Sequence, residues 1–176
     1  MSESDNSVET LWAPWRIEYI LQDKPDDCIF CTKAPMEVDD RKELVLSRGK
    51  HSFAIMNLYP YNNGHIMVSP YKHTAELSDL DDATHLEMMQ SIQQWLEVLK
   101  KSMNPQGFNM GANLGKVAGA GVEDHYHMHL VPRWNGDTNF MPVLGHTKVM
   151  VESMEETWDR LISVYQELFG ERNKID

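Results

Sequence analysis

Cysteines, cationic residues and long apolar runs are all scarce in this 176-residue sequence. The two cysteines are too few for a framework of several disulfides. The 16 Lys and Arg residues are outnumbered by 27 Asp and Glu, and the net charge of −11 argues against non-specific binding to nucleic acid or to an anionic membrane surface. No apolar run approaches the roughly 20 residues that a membrane-spanning helix needs.

The length and the ordinary share of apolar residues fit one globular domain with a real core. Residues 1–10 are polar and acidic, which predicts a disordered tail, and they lack the basic and apolar regions of a signal peptide. We therefore expect a cytoplasmic protein with a tail at 1–10 and a single domain at 11–176, without nucleic-acid or membrane partners.

Short β-rich segments separated by turn signals predict a sheet. The stretch 58–64 contains a proline and an Asn-Gly pair, which favours an antiparallel pairing of the strands on either side. A loop with three glycines, at 115–124, separates two later strands. The predicted strands cover residues 44–46, 51–57, 65–69, 108–113, 126–133 and 148–151.

Two segments have the period of an amphipathic helix. The first starts at Ser78 or Asp79 and ends before Pro105, and its predicted apolar face consists of Leu86, Met89, Ile92, Leu96 and Leu99, flanked by Trp95. The second covers 153–169 with a C-cap at Gly170, and its apolar residues are Met154, Trp158, Leu161, Tyr165 and Leu168. This order predicts an α+β fold: a mainly antiparallel sheet of about five strands, one long central helix and a C-terminal helix.

Three histidines occupy alternate positions at 125, 127 and 129. In a β-strand this spacing places all three imidazoles on one face. Imidazole is neutral and nucleophilic near pH 7, yet a small change in environment makes it a cation. The cluster therefore indicates either a metal chelate or a site that handles phosphate, whereas three core histidines would each need a buried partner.

The histidine motif resembles the signature of the histidine triad (HIT) nucleotide hydrolases and transferases. Further blocks, from about residue 11 to about residue 140, extend the likeness and are most similar to the bacterial branch that includes diadenosine tetraphosphate phosphorylases. These blocks are LWAPWR at 11–16, NLYPYN at 57–62, GHIMV at 64–68, GFN at 107–109, NLG at 113–115 and VPRW at 131–134.

The resemblance implies a HIT fold over residues 11–176 and a reaction at the α-phosphate of adenine nucleotides or dinucleoside polyphosphates, as a phosphorylase or a hydrolase. The family's nucleophile is the middle histidine, which corresponds to His127 and would form a nucleotidyl-histidine intermediate. His129 would supply positive charge to the non-bridging oxygens, because zinc would hold His125. His65 would support the triad through a hydrogen bond, unless it is purely structural.

The two cysteines form a Cys-x-x-Cys motif, Cys28 and Cys31, which indicates metal or redox chemistry in a chain of this length. A zinc site needs two more ligands. HIT members with this early motif use a histidine shortly after the Gly-His strand and the first triad histidine, which correspond to His73 and His125. The resemblance thus implies structural zinc, and Mg²⁺ would accompany a polyphosphate substrate. The competing interpretation is two buried thiols with His73 on a solvated turn.

Nucleotide contacts follow from the same resemblance. Asn57 lies eight residues before His65, the spacing at which HIT proteins contact the ribose hydroxyls, although a turn cap would explain it too. Phe53, Ile55 and Leu58 are candidates for the cleft around the base, and core packing explains them equally well.

The glycine-rich stretch 113–121 is a candidate phosphate loop, because glycines let backbone N–H groups approach an anion. Its candidate contacts are Asn113, Lys116, Gly119 and Gly121. Many HIT enzymes carry Ser, Thr or Gln just before the first triad histidine to serve the leaving group. This chain has Gly121 and Val122 there, so the handling of the leaving group stays open.

Two other functions are compatible with the residues. One is a metalloenzyme in which all three strand histidines bind an open zinc or iron centre. The other is a nucleotide-binding protein with little turnover.

HIT proteins also commonly form two-fold dimers. The apolar helix around Trp95 and the edge strand near Phe108 suit such a homodimer. The dimer would bring Trp134 or the C-terminal segment near the partner's cleft. Alternatively, the C-terminal helix covers those surfaces.

Overall fold

Five β-strands form one sheet in the computed structural model of this chain, in the order β1-β2-β3-β5-β4. The structure describes residues 27–137 and 150–170. Every neighbouring pair of strands is antiparallel, which confirms the predicted sheet. The strands are β1 (Val45–Arg48), β2 (Ser52–Met56), β3 (Ile66–Pro70), β4 (Gly107–Gly111) and β5 (Met128–Arg133).

Within the described residues, three α-helices accompany the sheet: α1 (Ile29–Lys33), α2 (Asp82–Met103) and α3 (Met154–Phe169). The long helix α2 begins later than predicted, because Asp81 caps it by accepting a hydrogen bond from the Thr84 amide at 2.8 Å. Residues Leu77–Asp79 form a separate 3₁₀ turn. Among the described helices, none is both long and apolar enough to cross a bilayer.

The C-terminal helix α3 ends at the predicted residue and begins one residue later than predicted, at Met154. Ser153 and Glu156 form a capping box at its start, and the Gly170 amide closes its last turn on the Gln166 carbonyl. Trp158, Leu161 and Tyr165 are buried as expected, whereas Leu168 is 38% exposed and does not belong to the buried face. The helical period of the apolar residues and the Gly170 C-cap were sufficient to place this helix.

The predicted apolar face of α2 is partly wrong. Leu86 and Met89 are 60% and 45% exposed, whereas Trp95 is fully buried at the centre of the packed face. At 100° per residue, Leu86 lies about 120° around the helix from Ile92, away from the sheet. The buried residues of α2 are Thr84, Met88, Ile92, Trp95, Val98 and Leu99.

The two faces of the sheet have different partners. On one face, residues such as Ala54, Ile66 and Leu130 pack with α2 and α3 in the main core. On the other face, Phe30 of α1 covers a smaller apolar cluster that consists of Phe30, Val45, Phe53, Ile55 and Met67. Since Met67 pairs with His129 across β3 and β5, the triad shares this second face.

The five observed strands begin and end within two residues of their predicted bounds, and the sixth predicted strand is not seen in the described residues. Strand β5 starts at Met128 rather than residue 126, because Pro70 ends β3 and has no N–H with which to continue the ladder. Of the predicted strand 148–151, the described residues Met150 and Val151 are not in a strand, and Val151 is 87% exposed. Residues 148–149, the expected tail at 1–10 and the stretch 11–26 lie outside the described residues.

Candidate active site and metal centre

Four histidines are buried together on the α1 side of the sheet. His125, His127 and His129 are 1%, 5% and 9% exposed, and His65 at the start of β3 is 1% exposed. Their rings are close: the centroids of His127 and His129 are 4.8 Å apart, and those of His65 and His129 are 5.0 Å apart. The structure thus brings the four predicted histidines into one cluster.

Hydrogen bonds determine which nitrogen of His65 carries the proton. The backbone N–H of Tyr61 donates to Nδ1 of His65 at 3.0 Å, and the Asn57 amide lies 3.3 Å from the same atom. A backbone N–H can only donate, so the proton of a neutral His65 is on Nε2. That Nε2 lies 2.9 Å from Nδ1 of His129, which accepts the bond and therefore has its own proton on Nε2.

The ring of His127 is oriented by the backbone beside it. Its Nδ1 lies 2.8 Å from the carbonyl oxygen of His125, which can only accept, so Nδ1 carries the proton. Burial lowers the pKa of His127 below its ordinary value and favours the neutral ring. No described residue hydrogen-bonds to Nε2, whose lone pair is the nucleophilic position of the ring.

Residues 69–74 hold the triad segment before β5 begins. Ser69 donates its hydroxyl to the Tyr126 carbonyl at 3.0 Å, and the Tyr126 amide donates to the Thr74 carbonyl at 2.6 Å. Nε2 of His125 donates to the Pro70 carbonyl at 2.9 Å. These bonds replace the missing ladder and keep His125 and His127 in place.

Four side chains form a cluster that could hold a metal ion: Cys28, Cys31, His73 and His125. Their ligand atoms all lie within 4.8 Å of one another. The Cys28 sulfur is 3.2 Å from Nδ1 of His125, and the Cys31 sulfur is 3.3 Å from Nδ1 of His73. Ligands of tetrahedral zinc with Zn–S and Zn–N bonds of about 2.3 and 2.0 Å lie about 3.3–3.8 Å apart, so the spacing fits zinc.

The sulfur and nitrogen atoms of this cluster are suited to bind a cation. Because Nε2 of His125 donates to the Pro70 carbonyl, Nδ1 keeps its lone pair and turns it towards the thiols. Burial and the neighbouring Cys28 thiol raise the pKa of Cys31. A bound cation would offset this effect by stabilising the thiolate. Sequence reasoning identified all four residues of this cluster.

The residues expected around the base and the ribose lie in different environments. Phe53 and Ile55 are each 1% exposed within the smaller apolar cluster, while Leu58 is 60% exposed on the turn after β2. The Asn57 side chain is engaged twice, since its oxygen accepts from the Tyr59 amide at 2.9 Å and its nitrogen lies near His65. Asn57 therefore caps the turn, and its amide also reaches the histidine cluster.

The glycine-rich loop connects β4 to the triad. Lys116 begins a 3₁₀ turn on the exposed side of the loop, and Gly115 and Gly119 have φ values of 79° and 89°, which glycine adopts without strain. Asn113 contacts the Gly119 carbonyl at 3.5 Å. After Gly121 the chain turns inwards, where Val122 packs against the smaller apolar cluster.

Two aromatic residues of the site were missed by sequence reasoning. The ring centroid of Phe30 is 4.8 Å from that of His127, and the centroid of Tyr61 is 4.6 Å from that of His65. Phe30 lies inside the Cys-x-x-Cys motif and Tyr61 lies in the turn before His65. The only sequence signal for a role in the site was that each lies next to candidate site residues. Aromatic residues at such places are commonly part of the core, so this signal was weak.

Comparisons with known proteins agree with this geometry. The family model described as HIT domain matches residues 39–136. The chain is 38% identical over 159 residues to the AP-4-A phosphorylase of Mycobacterium tuberculosis, which covers 86% of this chain and 82% of the relative. It is 28% identical to the adenosine 5'-monophosphoramidase of Saccharomyces cerevisiae, over 85% of each chain.

Solved structures have the same fold. A Zn-bound histidine triad family protein from Mycobacterium smegmatis superimposes with a TM-score of 0.63 at 26% identity, covering 80% of this chain and 94% of its own. A histidine triad nucleotide-binding protein from Sulfolobus tokodaii gives a TM-score of 0.65 at 24% identity, over 85% of this chain and 99% of its own. The predicted α+β architecture is therefore confirmed.

Proposed function

The chain belongs to the HIT domain family, and we propose that it is a nucleotidyl hydrolase or transferase that acts on the α-phosphate of adenine nucleotides or dinucleoside polyphosphates. One observation carries the proposal. The ring of His127 is buried, favours the neutral form and is fixed by its Nδ1–H bond to the His125 carbonyl, so the lone pair on Nε2 is available for attack. The name of the M. tuberculosis relative, a phosphorylase of AP-4-A, supports this class of substrate.

The first step transfers a nucleotidyl group to the protein. Nε2 of His127 attacks the α-phosphorus, the bond from that phosphorus to the bridging oxygen breaks, and the remaining nucleotide leaves with the bonding electrons. The attacking ring becomes cationic, since Nδ1 keeps its proton, and the adjacent His125 carbonyl accepts that N–H bond and stabilises the charge.

His129 and His65 act on the charge that develops on phosphate. A neutral His129 has its proton on Nε2, because its Nδ1 accepts from His65. This N–H is the proposed donor to the non-bridging oxygens. His65 is a positioning residue whose tautomer is held by the Tyr61 amide.

Other residues are proposed to bind the nucleotide. Asn57 would contact the ribose hydroxyls after giving up one of its present hydrogen bonds, to His65 or from the Tyr59 amide. Phe53, Ile55 and Leu58 would contribute to the apolar cleft for the base. The glycine-rich loop would place Asn113, Lys116, Gly119 and Gly121 along the phosphates, with Mg²⁺ on the polyphosphate chain. The exposed position of Lys116 on the 3₁₀ turn supports its role as a counter-charge.

We propose that the metal is zinc, bound by Cys28, Cys31, His73 and His125 in a structural site. The thiolate-imidazole donor set and the spacing of its atoms favour zinc, and the M. smegmatis relative is described as Zn-bound. When bound, zinc would supply a cross-link between α1 and the triad segment. A cytoplasmic location, which we also propose, would keep both thiols reduced.

The acceptor in the second step distinguishes a phosphorylase from a hydrolase. If inorganic phosphate attacks the nucleotidyl-histidine, the P–N bond breaks and diadenosine tetraphosphate yields ADP and ATP. If water attacks, the products are AMP and ATP. Incubating the protein with this substrate, with and without phosphate and Mg²⁺, and separating the products tests the proposal directly.

The same assay separates the two alternatives. Nucleotide binding without products or a covalent adduct would indicate a binding protein and overturn the enzymatic proposal. A three-histidine catalytic metal is not favoured, because Nδ1 of His129 accepts a hydrogen bond from His65, which leaves the proton of a neutral His129 on Nε2, and the Nδ1 lone pair of His125 is turned towards the cysteines. Full loss of activity on chelation, with a metal ligated by His127, would favour that alternative instead.

We also propose a two-fold homodimer. Strand β4 is an edge of the sheet with exposed backbone and an exposed Met110, and Leu86 and Met89 are exposed on α2. Unpaired edges and exposed apolar side chains are stabilised by pairing with a second copy, and such a dimer would place Trp134 near the partner's cleft. Sedimentation at micromolar concentration should give about twice the chain mass of 20.3 kDa, and a single-chain mass would reject the dimer.

A further inference from the structure

The short helix α1 presents side chains in two directions. Cys28 and Cys31 belong to the candidate metal cluster, while Phe30, between them in sequence, is fully buried against the sheet. Within α1, Phe30 is the only residue that is fully buried. One helical turn therefore joins the metal cluster to the face of the sheet that carries the histidines.

Phe30 contacts two of the triad rings. Its ring centroid lies 4.8 Å from that of His127, with 34° between the planes, and 5.1 Å from that of His125. The Nδ1–H bond to the His125 carbonyl holds one edge of the His127 ring, and the ring can otherwise turn about its Cβ–Cγ bond. A flat hydrocarbon ring packed against the imidazole restricts this rotation.

Both ends of α1 are held, so Phe30 is on a rigid support. At the end away from the cysteines, the buried guanidinium of Arg48 donates to the carbonyls of Ala34 and Lys33 at 2.6 and 3.0 Å. The Asp40 carboxylate pairs with Arg48 at 2.9 Å. At the other end, Cys28 is the N-cap, and its sulfur lies 3.2 Å from Nδ1 of His125.

We infer that Phe30 is a positioning residue that sets the orientation of the His127 ring and links that orientation to the metal-binding turn. The inference rests on the proposed role of His127 as nucleophile. Phe30 contacts no reacting atom in this arrangement. It restricts the imidazole to the pose in which Nδ1 keeps its hydrogen bond and Nε2 faces the substrate.

The test compares Phe30→Leu with Val45→Ala. Val45 is fully buried in the same apolar cluster and pairs with Ile55 across β1 and β2 rather than with a histidine. Both variants shrink a fully buried side chain of this cluster, so Val45→Ala measures the general effect of a smaller core side chain. Phe30→Met provides a second variant if Phe30→Leu does not fold.

The first readout needs no substrate. In ¹⁵N-histidine spectra, the wild type and Val45→Ala should show His127 as a single tautomer with the proton on Nδ1. Phe30→Leu should show an averaged His127 signal with zinc content unchanged. An unchanged His127 signal in both folded Phe30 variants would overturn the inference, whatever the enzymatic activity proves to be.

The second readout is kinetic. Loss of ring orientation should lower kcat about 10-fold or more for Phe30→Leu, with KM within about twofold, because misplaced reactants lose rate rather than affinity. Val45→Ala should keep kcat within about twofold. Equal losses in the two variants would contradict a positioning role for Phe30, while absence of turnover in the wild type would instead contradict the proposed function.

Discussion

His65 and His129 lie 64 residues apart in the chain and share a buried hydrogen bond of 2.9 Å between Nε2 and Nδ1. The Tyr61 amide fixes the direction of this bond, because it donates to the other nitrogen of His65. In their neutral forms, the two imidazoles in series therefore carry their protons on Nε2, and the Nε2–H of His129 is the proposed donor to phosphate.

Replacing His127 should abolish turnover. His127→Ala removes the nucleophile, and we expect kcat to fall by at least about 10²–10⁴ while the thermal midpoint changes little. Product analysis measures the first effect and circular dichroism the second. In the wild type, acid-quenched mass spectrometry should detect a nucleotidyl adduct on the peptide containing His127. A variant with full activity would reject the assignment.

The His65–His129 bond should contribute to rate. His65→Leu removes the donor and should lower kcat about 10- to 100-fold, because His129 loses its fixed tautomer. His65→Gln, whose amide can donate in the same direction, should recover part of that loss. His85→Ala, a histidine on the surface of α2, is the control and should leave kcat unchanged. Similar kinetics for the Leu and Gln variants would argue against the hydrogen-bond role.

Zinc should be present at one ion per chain. Cys28→Ser and Cys31→Ser should each release most of it, and the double variant should release all of it, with a lower thermal midpoint. Elemental analysis and differential scanning calorimetry provide the measurements. Replacing Ser102, a buried hydroxyl outside the cluster, by Ala controls for general effects. Equal zinc in the wild type and the double variant would reject the site.

Asp137 should contribute stability that depends on pH. Hydrogen bonds from Arg133, at 2.6 and 2.9 Å, and from the Trp134 amide and Asn62 lower the pKa of Asp137 from 3.8 to about 2. A lowered carboxyl pKa stabilises the fold above about pH 4, and this contribution is lost as the pH falls towards 2. Solvent screens Arg133, so the contribution is about 1 kcal/mol.

Urea unfolding of the wild type and Asp137→Asn between pH 7 and pH 2.5 checks this prediction. The difference in unfolding free energy should be largest near neutral pH and should shrink as the wild-type carboxylate becomes protonated. Asp124→Asn, in the exposed loop before the triad, is the matched control. A difference that stays constant over this range would show that the carboxylate charge of Asp137 is not involved.

The sequence was sufficient for the fold class, the extent of α3 to within one residue, and the four residues of the candidate metal cluster. Period-two and period-3.6 patterns report which residues face a core, and caps such as Ser153 and Gly170 act within a few residues. The alternate histidines and the Cys-x-x-Cys spacing are also recognisable within a few residues. All these features are short-range properties of the chain, and the family resemblance indicated which of them belong to one site.

Only the tertiary structure decided how distant residues meet. The buried side of α2 depends on where the sheet lies, so Leu86 proved exposed although it is apolar. The start of β5 depends on Pro70 in another strand, and the proton positions of His129 and His65 depend on Tyr61. The contact between Phe30 and His127 joins residues nearly 100 positions apart, which no local pattern encodes, because it arises only when α1 packs on the sheet.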